Sequence, residues 1–175
     1  MKRGLGRGYA PDDRDQQYLF CWDRELDLPR KYWSCSWAGD QQDTPTCVGF
    51  AWARWLASSP IRSWLDPHGI YEFAKTLDEW IGEDYEGTSV RAGAKVLQRL
   101  GLITEYQWCY DVEQLAAAIL YRGPVVIGTS WYDDMFEPNR EGTVFVTGSF
   151  AGGHAYLASG VDLETREIRI DCSWG

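Results

Sequence analysis

Of the residues able to do covalent chemistry, Cys47 has the most suggestive surroundings. It falls in DQQDTPTCVGFAWARWL, residues 40–56, between a proline-bearing turn and apolar residues at helical spacing. A thiol attacks as its thiolate, and the free N–H groups and dipole of a helix start favour that charge. Thr44 and Thr46 flank Pro45 and offer capping hydroxyls, while Pro45 suits the first helical position because it has no N–H to leave unpaired. Val48, Ala51, Trp52, Trp55 and Leu56 then give the helix a buried face. The same setting suits a small buried hydrophobe, since free cysteine is among the most buried residue types. The residues alone leave both readings open.

A nucleophilic thiol needs an imidazole within hydrogen-bond reach, and the chain has two histidines, His68 and His154. His68 falls in the first turn of a second helix, where a solvent-facing or capping role is expected. His154 follows Gly152 and Gly153 and opens an apolar strand, so its ring can stand at a sheet edge facing a cleft. Cys21, Cys35 and Cys109 lack cationic or metal-ligand neighbours and read as structural. No HExxH segment or glycine-rich phosphate loop occurs, so neither a metal nor a cofactor is expected. Asp133 and Asp134, beside Trp131 and Tyr132, read as a solvated acidic loop.

The elements that must position these groups follow from the pattern. Residues 1–39 have no sustained period and read as an extended arm lying over the domain. Residues 40–123 are mainly helical. After the Cys47 helix, a second begins at Asp66 with Pro67 just inside it, buries Ile70, Phe73, Ala74, Leu77 and Ile81, and ends at Gly82. A third runs from Ser89 as cap to Gly101. A fourth starts at Asp111, with Gln114 completing a capping box, and stops near Gly123. In residues 124–175 the grammar changes to short β-branched or alternating runs, PVVIGT, GTVFVTG, HAYLASGVD and EIRID, which predict a sheet. Helices followed by strands in one chain of 175 residues argue for a single α+β domain.

Composition narrows the function. A formal net charge of −9 disfavours binding to nucleic acid or to an anionic membrane surface. No apolar run approaches the length of a membrane span, and the N-terminus has no apolar stretch behind its basic residues. Five cysteines without a CxxC pair suggest reduced thiols, and with no signal peptide evident a cytoplasmic location is expected, in the host cell if the gene is of phage origin.

Taken in order, several segments resemble those of papain-like cysteine peptidases. DQQDTPTCVGFA resembles their nucleophile segment, with Gln41 six residues before Cys47; GGHAYLASGVD resembles their histidine segment; and the final CSWG resembles their Asn-Ser-Trp-Gly segment. GYAPDDRD, LPRKYWS, EGTSVRAGAKVLQRLGL and RGPVVIGTSWYDDMF are similar to the bacterial and phage-type branch. The resemblance implies a helical lobe carrying Cys47, an antiparallel β-rich lobe carrying His154, and a groove between them for a peptide or protein substrate. It implies Cys47 as nucleophile, His154 as general acid and base, Gln41 with the Cys47 N–H as oxyanion donors, and Trp174 as shelter for the histidine contact.

Two departures stand out. Cys172 occupies the place of the family's asparagine, whose side-chain oxygen orients the histidine, and a thiol is a weak acceptor. Asp171 is no ready substitute, because strand alternation sets Ile168, Ile170 and Cys172 on one face and Arg169 with Asp171 on the other. The chain also stops at Gly175, which reads as a truncated β lobe. Thr44 takes the place of a disulfide cysteine of secreted relatives, which fits a reducing compartment. No long inhibitory segment is expected ahead of Cys47. These departures motivate an alternative: a weakened or inactive papain-like fold kept as a binding or structural protein, for instance of a phage. Acyl transfer or cell-wall peptide cleavage would use the same residue pair, and the oligomeric state is not legible.

Overall fold

The computed structural model describes residues 3–80 and 82–174. Four helices precede most of a four-stranded sheet: α1 Cys47–Ala57, α2 Pro67–Lys75, α3 Val90–Arg99 and α4 Val112–Tyr121, with strands β1 Arg30–Tyr32, β2 Val125–Tyr132, β3 Phe150–Asp162 and β4 Glu167–Asp171. Short 3₁₀ turns cover Asp13–Tyr18 and Asp133–Phe136. The fold is therefore the expected mix of helices and antiparallel sheet. Among the described residues no helix is long and apolar enough to cross a membrane.

Three helices start where side-chain caps are available. Asp66 accepts from the Gly69 N–H, Ser89 from Ala92 and Asp111 from Gln114, each satisfying a donor that the helix itself leaves free. The capping box at α4 is only half formed. The Gln114 side chain turns away from the cap and accepts from the Trp22 N–H at 2.8 Å, tying the arm to the helix. α2 stops at Lys75, short of the expected Gly82. Phe73 and Leu77 still pack on the core, and the expected contact of Ile81 lies outside the described residues. Pro45 is not the first helical residue either: α1 begins at Cys47 with Thr46 as cap, and the Thr46 hydroxyl meets Thr44 Oγ1 at 2.7 Å instead of closing on the helix.

β3 is the spine of the sheet, pairing antiparallel with β1, β2 and β4. Its 13 residues let it do so, since β2 runs along Phe150–Ala158 while β1 and β4 hold its distal half. The alternation expected of β4 holds: Ile170 and Cys172 pack with Trp131, Met135 and Tyr156, whereas Arg169 donates through Nε to Ser159. The strand expected over GTVFVTG does not form. Asn139 Oδ1 instead accepts from the N–H groups of Glu141 and Thr143 in a turn, and Phe145 and Val146 stand exposed with no partner strand against them. Alternation fits a strand only where a second strand and a buried face are supplied.

α1 packs on α2 and also lies across β3. Cys47, Val48, Ala51 and Trp52 share one core with Ala92, Val96 and Leu97 of α3 and with Ala155 of β3. A second cluster joins α4 to β3 through Ile119, Leu120, Ala158 and Val161. The helix that starts at Cys47 is thereby fixed against the strand that carries His154.

Candidate active site

Cys47 is the first residue of α1, and its sulfur is fully buried. Ala155, next to His154 on β3, supplies a backbone N–H to the sulfur's surroundings, as do Val48 and Gly6. Burial pushes the thiol up to about 11, and those three N–H groups with the cation of Arg7 only partly oppose the rise. His154 is also fully buried, and burial pushes it down to about 3. The two groups are thus an uncharged thiol and an uncharged imidazole at neutral pH in this conformation. Neither ring nitrogen of His154 has a hydrogen-bond partner among the described residues, so the imidazole engages neither the Cys47 thiol nor Cys172.

Aromatic packing fixes the imidazole instead. Trp174 stacks on it at 4.1 Å between centroids with planes 13° apart, and Trp131 meets it edge-on at 5.0 Å. Tyr156 lies beside it at 5.6 Å. Trp174 therefore lies against the histidine. Cys172 is held by its backbone, whose carbonyl accepts from Arg54 Nη1 at 2.7 Å, and burial raises its thiol to about 12.

Gln41 is 1% exposed and every polar atom of its side chain is engaged. Oε1 accepts from the Ser173 hydroxyl at 2.5 Å, which fixes the amide's orientation. Nε2 donates to the Thr44 carbonyl at 2.7 Å and to the Gly4 carbonyl at 3.1 Å. The Gly4 carbonyl accepts again from the Trp174 indole at 3.2 Å. A carbonyl of the chain's own arm thus occupies the donors that the sequence assigns to an oxyanion.

The arm between residues 4 and 8 is what closes the site. Gly4 N–H donates to the Gln42 carbonyl, Gly6 and Arg7 N–H both donate to the Gly153 carbonyl, and Gly8 N–H donates to Thr88, whose own N–H returns to Gly6. His68 stands apart, exposed on α2 with its ring edge-on to Phe50, as expected. Asp133 and Asp134 are exposed on a 3₁₀ turn, again as expected. Sequence reasoning did not anticipate Trp131, Ser173 or the arm residues at the site. The alternate glycines of GLGRG were the one visible signal for the arm, because glycine at every second position permits close backbone approach along one side of an extended segment.

No protein-family model matches the chain, and no curated protein matches it in sequence. Among solved structures it is similar to xylellain, a cysteine protease from Xylella fastidiosa, with a TM-score of 0.71 and 20% identity over 100% of this chain and 87% of that one. The fold is that of a papain-like cysteine protease. In this papain-like fold the start of α1 and the first half of β3 meet, and Cys47 and His154 lie on those two elements.

Proposed function

We propose that the chain is a papain-like cysteine peptidase, acting on peptide or protein substrates through Cys47 and His154. The observation that carries this is the docking of the α1 start onto β3, which brings the backbone next to His154 against the Cys47 sulfur in a fold shared with a cysteine protease. In the working state the Cys47 proton passes to His154, the thiolate attacks the substrate carbonyl, and the Gln41 amide with the Cys47 N–H holds the oxyanion. His154 then protonates the leaving amine, and water releases the acyl group. Five unpaired cysteines favour work in a reducing compartment, which supports a cytoplasmic setting.

The proton transfer needs the site to open first. With the thiol near 11 and the imidazole near 3, the ion pair lies far uphill while both groups are dry. Water or substrate entering where the arm now lies lowers the first value and raises the second. A thiol-directed peptidyl epoxide, followed by mass spectrometry of the adduct, tests the reading. The expected result is labelling at Cys47 that disappears in His154→Ala. Absence of labelling in a chain whose arm has been displaced overturns the peptidase and leaves a binding fold.

A further inference from the structure

Two cavities are lined by charged side chains and by none of Cys47, His154 and Gln41. In the smaller, of about 350 Å³, the charges answer one another: Arg14 pairs with Asp12, and Arg91 with Asp15 and Glu79. The larger, of about 480 Å³, lies between the 33–38 segment, Arg54 of α1, and Arg169 and Asp171 of β4. That is a usual size for a small-molecule site. Its charges are not spent on each other. Among the described residues neither arginine forms an ion pair with Asp171, and the Asp171 carboxylate accepts no hydrogen bond. Both guanidiniums are nevertheless held in place. Arg169 donates through Nε to Ser159 Oγ at 2.9 Å and through Nη2 to the Trp33 carbonyl at 2.5 Å, and it lies over the Tyr32 ring at 5.3 Å. Arg54 Nη1 donates to the Cys172 carbonyl at 2.7 Å. Nη1 of Arg169 and Nε and Nη2 of Arg54 have no acceptor among the described residues. Side chains pinned through part of their donors lose little freedom when the remaining donors take a ligand. The apolar part of the wall is fixed as well, since the Trp33 indole donates to the Ile119 carbonyl at 2.7 Å and Trp37 packs on Phe50.

We propose that this larger cavity is a binding site for a small amino dicarboxylate, of the size and charge of an acidic α-amino acid. Two guanidiniums call for two carboxylates, each of which can accept paired N–H bonds. The unpaired carboxylate of Asp171 calls for an ammonium, and the Trp33 and Trp37 rings suit the methylenes between the charged ends. Two positive charges and one negative are thus met by two negative and one positive. A plain dicarboxylate or a phosphate would face Asp171 with like charge, which counts against it as a ligand. A zwitterion with one carboxylate would leave one guanidinium unused. In a chain of net charge −9 the two arginines are a local reversal of sign, and that favours entry of an anionic ligand at this place.

Calorimetric titration of the full chain with L-glutamate should give a dissociation constant below about 1 mM. The indole N–H signals of Trp33 and Trp37 should shift as the ligand is added. Glutarate lacks the ammonium and L-glutamine lacks the second carboxylate, and each should bind about tenfold more weakly or worse. Asp171→Asn removes a charge that has no partner among the described residues, so the fold should be kept. That variant should weaken L-glutamate by about tenfold and leave glutarate unchanged or tighter, two effects of opposite sign that a merely structural disturbance does not produce. The proposal is overturned if L-glutamate gives no heat and no shifts at millimolar concentration, or if its affinity is the same in folded Asp171→Asn. Glutarate or inorganic phosphate binding as tightly as L-glutamate would make the cavity a plain anion site and likewise overturn it, as would shifts confined to residues outside the cavity. No readout uses turnover or labelling at Cys47, so the binding site and the peptidase stand or fall separately.

Discussion

The indole of Trp174 lies flat against the imidazole of His154, with centroids 4.1 Å apart and planes 13° from parallel. The contact shields one face of a ring whose two nitrogens have no partner among the described residues, and it holds the ring in one orientation where a hydrogen bond would ordinarily do so. Trp174→Ala should let water reach the ring, move the His154 pKa up from about 3 toward its ordinary value near 6.5, and cost about 3 kcal/mol of packing. Histidine proton chemical shifts followed against pH, with a urea melt, check both.

The depressed His154 also sets an acid limit on stability. Its folded-state value near 3 lies below the unfolded value of about 6.5, so the unfolded chain binds a proton that the folded chain refuses. The contribution is fully present above about pH 6.5 and is lost as pH falls toward 3. The stability of the wild type relative to His154→Phe should therefore fall between pH 7 and pH 4. Urea midpoints at the two pH values measure it, and a constant difference counts against the burial of a neutral imidazole.

Cys172 packs in the cluster that holds Trp131 and Trp174, and it gives His154 no hydrogen bond. Cys172→Asn places a strong acceptor at that position. With the arm displaced by Gly6→Val, the added substitution should raise kcat by about tenfold with little change in KM, since an orienting partner acts on the reacting imidazole and not on substrate binding. The pH profile should broaden on its alkaline side as the imidazolium is stabilised. No change in kcat or profile would mean that the aromatic stack already orients the ring sufficiently.

Asp78 supports the wall on which the arm rests. Its buried carboxylate accepts from Thr88 Oγ1 at 2.8 Å, from the Trp80 N–H at 3.2 Å and from the Tyr85 hydroxyl. Asp78→Ala leaves those donors without their acceptor and should cost about 2–3 kcal/mol, near the range for hydrogen bonds to a charged group. Because the Gly8 N–H donates to the Thr88 carbonyl and the Thr88 N–H to that of Gly6, the same variant should quicken amide exchange at Gly8 and Thr88.

Arg91 joins the arm to the helical part of the fold. The side chain is buried and bridges Asp15 of the arm and Glu79, the latter at 2.9 Å. Arg91→Ala leaves Asp15 without its cation and removes the only tie of Asp15 to α3 among the described residues, while Glu79 keeps the Ser89 hydroxyl and Lys95, with an expected loss of about 3 kcal/mol. Arg91→Met, which keeps much of the buried stem, should cost less. Thermal or urea denaturation of the two variants distinguishes lost charge pairing from lost packing.

What the sequence determined by itself was local or ordered along the chain. Asp66, Ser89 and Asp111 each cap a helix as their spacing required, and most of PVVIGT and all of HAYLASGVD lie in strands, because capping and alternation act over a few residues. The order of the cysteine, histidine and tryptophan segments was enough to anticipate the papain-like fold later matched in solved structures. Tertiary structure alone decided the state of the site. Whether Cys47 meets water depends on a segment some forty positions earlier folding back onto it, and the protonation of His154 depends on Trp131 and Trp174 closing around it from different elements. The same non-local control denied GTVFVTG a strand and turned the Gln114 side chain from its cap to Trp22. Burial and pairing are properties of neighbours in space, so a pattern read along the chain proposes candidates for them and the packed molecule chooses.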